Sequence, residues 1–120
     1  MPHKQGIDER AETFLRDVVV YIATIATAPG TRRVIEQLVA AAGSVAANRQ
    51  EACAASSKRE FIRYNEIALR SAKESVVWLG ACRAGKWGRQ SECERLHDEA
   101  GQLARILAAI VISAKGRGRP

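Results

Sequence analysis

The run from Gly43 to Leu79, GSVAANRQEACAASSKREFIRYNEIALRSAKESVVWL, constrains this chain most, because it reads as two long helices joined by one capped break. Ser57 with Glu60 three residues later has the capping-box pattern that opens a helix. Upstream, Thr31 can cap a helix whose apolar positions form two adjacent stripes. The first is Val34, Leu38, Ala41, Val45, Ala52 and Ala55, and the second is Ile35, Val39, Ala42, Ala46 and Cys53. So wide an apolar face needs more than one neighbour.

Two further helices supply those neighbours. From Asp8 to about Ala26, residues Ala11, Phe14, Leu15, Val18, Ile22 and Ile25 recur at helical spacing, and Ala28-Pro29-Gly30 then ends the segment. The helix opened by Ser57 runs to about Ala84, and GKWGRQ separates it from Ser91 with Glu94, a second capping box. The last helix reaches about Lys115 on the stripe Leu96, Ala100, Leu103, Leu107, Ile110 and Ala114. Short connections make sequential helices antiparallel neighbours. The expected fold is all-α, an up-down-up-down four-helix bundle over 8–115, between a flexible N-terminus (1–7) and a basic flexible tail (116–120).

Composition agrees with this reading. Across 120 residues, apolar types make up 47% and aromatics only 5%, a balance of Ala, Val, Ile and Leu that favours helices in a single domain. The apolar stretches Val18 to Ile22 and Ile106 to Ile112 fall well short of the ~20 residues a bilayer span requires, so a soluble protein is expected. No apolar segment follows MPHKQGIDER as a secretory signal requires. Cys53, Cys82 and Cys93 are odd in number and lack CxxC spacing, which fits reduced thiols used for packing in the cytoplasm.

Several polar residues interrupt faces that should be buried. Asn48 lies between Val45 and Ala52, and Asn65 interrupts the stripe Ile62, Leu69, Ala72, Val76, Leu79. The two amides can meet across the helix pair or bond neighbouring backbone, with register control as the expected role. Arg49 sits in the second stripe and needs a carboxylate, for which Glu74 or a residue of another subunit is the candidate. Asn48, Glu51, Asn65 and Glu74 are the candidate structural polar set. Tyr64, Ile67, Ser71 and Trp78 form a second, partly apolar side of the third helix. With the off-face Ile106 and Ile112, they suggest more apolar surface than one copy can cover, hence a homo-oligomer with Tyr64, Ile67, Trp78, Ile106 and Ile112 in its interface.

Ser44-Val-Ala-Ala-Asn48-Arg-Gln-Glu51-Ala52 is similar to the Ser-Ile-Gly-Ala-Asn-Tyr-x-Glu-Ala motif of the four-helix-bundle proteins met in intervening sequences of bacterial large-subunit ribosomal RNA genes. Ser57-Lys58-Arg59-Glu60-Phe61-Ile62, Ile67-Ala68-Leu69, Lys73-Glu74-Ser75 and Trp78-Leu79 continue the likeness, which extends from about Phe14 to Lys115. Ala46, Arg49 and Ser71 depart from the family pattern. The resemblance implies a ring-like homopentamer without catalytic residues or cofactor. It also implies kinship with accessory proteins of diversity-generating retroelements, basic barrels that bind nucleic acid and a reverse transcriptase.

Charge bears on that last implication. Nineteen Lys and Arg against thirteen Asp and Glu give a net charge of +6, which favours polyanionic partners. Arg59, Arg63, Arg70 and Lys73 share one face of the third helix, interrupted by Glu66. Arg83, Lys86 and Arg89 cluster at the next loop beside Trp87, and Lys115, Arg117 and Arg119 load the tail. These ten cations are the candidate contacts to RNA or DNA. Enzymatic readings lack parts: there are two histidines, and His97-Asp98-Glu99 are consecutive on a helix, so their side chains diverge by about 100°. No phosphate loop, nucleophile elbow or metal-ligand spacing is present, so neither an enzyme nor a metal or cofactor is expected. The leading reading is a nucleic-acid-binding accessory or scaffold protein. The other is a structural protein-protein interaction module whose charge keeps an assembly soluble.

Overall fold

Side chains set several of the helix ends. The computed structural model describes residues 6–116 and comprises α1 (Ile7–Ile22), α2 (Thr31–Cys53), α3 (Lys58–Gly85) and α4 (Gln90–Gly116), with no strand among the described residues. Helix α1 stops four residues earlier than its apolar spacing predicts. Beyond Ile22 the backbone tightens into i to i−3 bonds, Thr24 N–H to Tyr21 O and Ile25 N–H to Ile22 O, and Thr24 Oγ1 also donates to the Tyr21 carbonyl at 2.6 Å, competing with the helical ladder. Ile25 still reaches the core, from a turn rather than a helix.

Thr31 is not the cap of α2. Gly30 takes that place at φ +90°, and the buried Thr31 turns its hydroxyl back to donate to the Ala28 carbonyl at 2.7 Å. Ser57 does cap α3, accepting the Glu60 N–H at 3.1 Å, but Glu60 reaches back to the N–H and hydroxyl of Ser56 instead of Ser57. At the other end of α3, Lys86 adopts the left-handed conformation at φ 57°, and Trp87 N–H bonds Cys82 O, a Schellman closure with lysine where glycine is usual. Ser91 lies inside α4, which starts a residue earlier. Gln90 folds its amide onto the Trp87 and Gly88 carbonyls.

Each helix touches two others, in the cycle α1, α2, α3, α4 and back to α1. Contacts run in opposing order along these pairs. On α1 and α4, Arg10 meets Glu99 and Asp17 meets Arg95, and just beyond the helix ends Thr24 meets Arg89. On α3 and α4, Glu66 meets Lys115 and Arg83 meets Glu94. Phe14, Val18 and Tyr21 of α1, Leu38 and Val45 of α2, Leu79 of α3, and Leu96, Leu103 and Leu107 of α4 fill the centre. Each fully buried leucine contributes roughly 1.5–3 kcal/mol relative to an exposed one.

The polar interruptions take particular partners. Asn48 is half-buried and bonds back one turn, to the Ser44 carbonyl at 2.9 Å and hydroxyl at 3.1 Å. Asn65 is fully buried, donates to Phe61 O and accepts from Arg49 Nη1 at 2.6 Å. The two amides therefore bond local groups and Arg49, not each other. Arg49 finds its carboxylate within the same chain, at Asp8 of α1, with Nε 2.8 Å from Oδ1; Glu74 is exposed on α3 and Glu51 exposed on α2. Ser71 is buried and donates to Ser44 Oγ at 2.7 Å, joining α3 to α2.

Candidate nucleic-acid interface

Helix α3 positions the candidate cations by its 3.6-residue period. Its buried residues Asn65, Ala68, Ala72, Ser75, Leu79 and Cys82 face the core, and positions 59, 63, 66, 70, 73 and 77 fall on the opposite side. Arg59, Arg63, Arg70 and Lys73 are all exposed there and make no salt bridge among the described residues. Glu66 interrupts them but is itself engaged by Lys115 Nζ at 2.7 Å, so the centre of the face is electrically balanced. Lys58, Arg59, Ile62, Arg63 and Glu66 line an open groove at the start of the helix. Val77, 63% exposed, ends the face.

Three other candidates sit elsewhere. Arg83, Lys86 and Arg89 are exposed at the opposite end of α3, about 36 Å from Arg59 along the helix axis. Arg83 is partnered by Glu94 at 3.7 Å, and the Arg89 backbone N–H is tied to Thr24 Oγ1 at 3.0 Å. Arg117 and Arg119 lie outside the described residues. Of the eight candidate cations among the described residues, α3 unites four on one face and Lys115 of α4 joins them at Glu66, while Arg83, Lys86 and Arg89 lie apart. Arg33 and Arg105 are also exposed and were not among the sequence candidates. Trp87 is half-buried, its carbonyl accepting the Tyr21 hydroxyl at 2.7 Å, and a Cβ on Gly85 would collide with its indole nitrogen.

The proposed interface residues divide similarly. Tyr64, Ile67 and Trp78 are half-buried on the same side of α3 as Ser71, which bonds α2, and Trp78 packs against the core. Ile106 is half-buried and, with Arg49, Phe61 and Ile110, lines a groove between helices. Ile112 is 71% exposed on α4. Val19 and Val20 of α1 are exposed too, and sequence reading missed them because they continue an apolar run.

Other chemistry is sparse. Among the described residues, no three His, Cys, Asp or Glu side chains are placed to hold a metal ion, and no helix is long and apolar enough to cross a membrane. Cys82 and Cys93 are buried beside Tyr21, and burial pushes the Cys82 thiol and the Tyr21 phenol upward from their ordinary values. Arg95 is held above its usual value by the hydrogen bonds it donates to Glu92 and then Asp17, which keeps it engaged on its own surface.

The family model described as 23S rRNA-intervening sequence protein matches residues 5–109, nearly the whole described chain. The chain belongs to that family. Its fold is similar to the crystal structure of a protein of unknown function from the S23 ribosomal protein family of Bacteroides thetaiotaomicron VPI-5482. The TM-score is 0.75 at 22% identity, over 88% of this chain and 98% of the other. No curated protein matches the sequence. At that identity, the structural likeness carries the fold alone.

Proposed function

We propose that this member of the intervening-sequence family is a non-enzymatic, oligomeric protein that binds nucleic acid through the basic face of α3. It acts as an accessory or scaffold for a nucleic-acid enzyme such as a reverse transcriptase. One observation carries the reading: Arg59, Arg63, Arg70 and Lys73 stand exposed on one helical face with no carboxylate paired to them among the described residues. Surface cations are ordinarily interleaved with acidic partners, as Arg32 is with Glu36 at 3.5 Å, and four left unpaired in a row favour a polyanion. The opposed contacts between neighbouring helices support an antiparallel, up-down-up-down bundle. Exposed Val19, Val20, Val77 and Ile112 support self-association, with a homopentamer as the assembly proposed. Repetition around a ring multiplies the field of each face.

Fluorescence anisotropy against structured RNA and duplex DNA tests the reading. Binding should weaken steeply with salt, and Arg59→Gln, Arg63→Gln and Arg70→Gln together should lower the salt slope by up to about 0.9 per lost phosphate contact while leaving helicity intact. Absence of binding to both ligands at low salt overturns it. Sedimentation showing a single copy at micromolar concentration overturns the oligomer. The same exposed valines and isoleucine favour the second reading, a protein-protein interaction module. Affinity capture returning one protein partner and no nucleic acid would select it.

A further inference from the structure

We infer that the α3 face is built for double-helical nucleic acid, straddling a groove, and not for a single strand; this rests on the nucleic-acid reading above. Three features of the face point the same way. First, its cations come as two pairs with a gap. Arg59 and Arg63 are one turn apart, as are Arg70 and Lys73, and the midpoints of the pairs are separated by about 16 Å along the helix axis. Between them stands Glu66, closed by Lys115 at 2.7 Å. A single strand laid along α3 must pass its phosphates over that carboxylate. A duplex does not: its two backbones flank a groove, about 12 Å wide for the B-form major groove, and each pair can reach one backbone while Glu66 and Lys115 stand over the opening. The wide, shallow minor groove of A-form RNA offers the same two-rail geometry.

Second, the face has no stacking platform. Proteins that hold single strands do so by stacking bases on aromatic rings. Of the six aromatic residues here, Phe14 and Tyr21 are buried and Phe61, Tyr64, Trp78 and Trp87 are half-buried; none shares the positions of Arg59, Arg63, Arg70 and Lys73. Third, the cations stand on a rigid helix whose opposite side is locked into the core by Asn65, Ala68, Ala72 and Leu79, so the spacing between pairs does not adapt to a flexible strand. Recognition is of backbone spacing rather than base sequence.

The test uses the full chain and four labelled probes of equal length: an RNA duplex, a DNA duplex, and the single strands of each, at low salt. At least one duplex should bind roughly tenfold or more tightly than its own single strand. Arg59→Gln with Arg63→Gln, and Arg70→Gln with Lys73→Gln, should each lower duplex affinity by about tenfold. The control Arg33→Gln with Arg105→Gln removes the same charge from elsewhere on the surface and should change affinity less than about twofold. All these side chains are exposed, and circular dichroism verifies that each variant folds. Single strands binding as tightly as duplexes, or the control pair weakening binding as much as either α3 pair, overturns the duplex inference while the nucleic-acid reading stands. No binding to any probe overturns both.

Discussion

Arg49 of α2 binds Asp8 of α1, with Nε 2.8 Å from Oδ1, while its Nη1 reaches Asn65 Oδ1 of α3 at 2.6 Å, so one guanidinium ties three helices. The arginine side chain is only 7% exposed and the aspartate 39%, which makes the pair a half-solvated one. Removing the aspartate strands a buried cation, and that cost outweighs the attraction lost. Asp8→Asn should lower stability by about 1–3 kcal/mol in urea denaturation, the lower half of the range reflecting the exposure of Asp8. Arg49→Met should cost a similar amount because Asn65 Oδ1 loses its donor, and adding Asn65→Leu should recover part of it. A cost under about 0.5 kcal/mol for both single changes would show that the contact contributes little.

The α3–α4 loop is clamped onto the end of α1 by Gly88. At φ +70°, a Cβ there would lie 2.6 Å from Thr24 Oγ1 and 2.9 Å from Ile25 Cγ1, whereas Gly30 at φ +90° has nothing within 4 Å. Gly30→Ala should therefore cost only the left-handed penalty of about 1–2 kcal/mol. Gly88→Ala should cost more, roughly 2–4 kcal/mol, because Thr24 and Ile25 must also shift. Equal losses in thermal or urea unfolding would mean the clamp yields freely.

Lys86 holds the left-handed cap position that glycine would adopt without a Cβ clash. Lys86→Gly should raise stability by about 0.5–1 kcal/mol, a gain visible as a higher urea midpoint. The same change separates stability from binding. If Lys86 contacts phosphate, the variant should be firmer yet weaker for nucleic acid. A destabilised variant would show that the lysine side chain packs on the loop.

How much of this was legible beforehand follows from which forces are periodic. The four helices and their core stripes were readable because Leu38, Leu79, Leu96, Leu103 and Leu107 repeat at helical spacing, and all five are fully buried. The end of α1 was not, since the Thr24 hydroxyl competes with the backbone at a position where spacing still says helix. Nor was the partner of Arg49. Asp8 is 41 residues away, and only a chain path laying the start of α1 beside the end of α2 brings them together, whereas the sequence alone offers Glu74 or a carboxylate of another subunit equally well. The basic face of α3 was fully legible, because exposure on a helix follows from the same period as burial. Its neutral centre was not, because Lys115 reaches Glu66 from another helix.

Cys53 is the one exposed cysteine among the three, yet it should be a sluggish nucleophile. The Asp8 carboxylate, 3.2 Å from its sulfur, accepts the thiol hydrogen and, with burial adding to it, raises the thiol above its ordinary value. At about pH 8, iodoacetamide should modify Cys53 several-fold more slowly than an unperturbed thiol, whose value is about 8.5. Asp8→Asn should speed the reaction by removing the acceptor and leaving Arg49 to favour the thiolate. Cys82 and Cys93, both fully buried, should react only as the fold opens. Modification of Cys53 at the rate of a free thiol would sink the assignment.

The start of α3 should respond to acid. Glu60 accepts from the Ser56 N–H at 3.1 Å and from the Ser56 hydroxyl at 3.0 Å, and these bonds hold its carboxyl below the usual carboxylate range. A depressed folded value means that the ionised form stabilises the fold, a contribution present above the unfolded value of about 4.3 and lost as pH falls through the lower, folded value. The Ser56 amide resonance should therefore titrate with a midpoint below about 4.3, and Glu60→Gln should abolish the titration. The Ser57 cap carries no charge, so Ser57→Ala should cost about 1 kcal/mol at neutral pH and at pH 3 alike. A midpoint at or above the free glutamate value would show that Glu60 faces solvent and that Ser57 caps the helix alone.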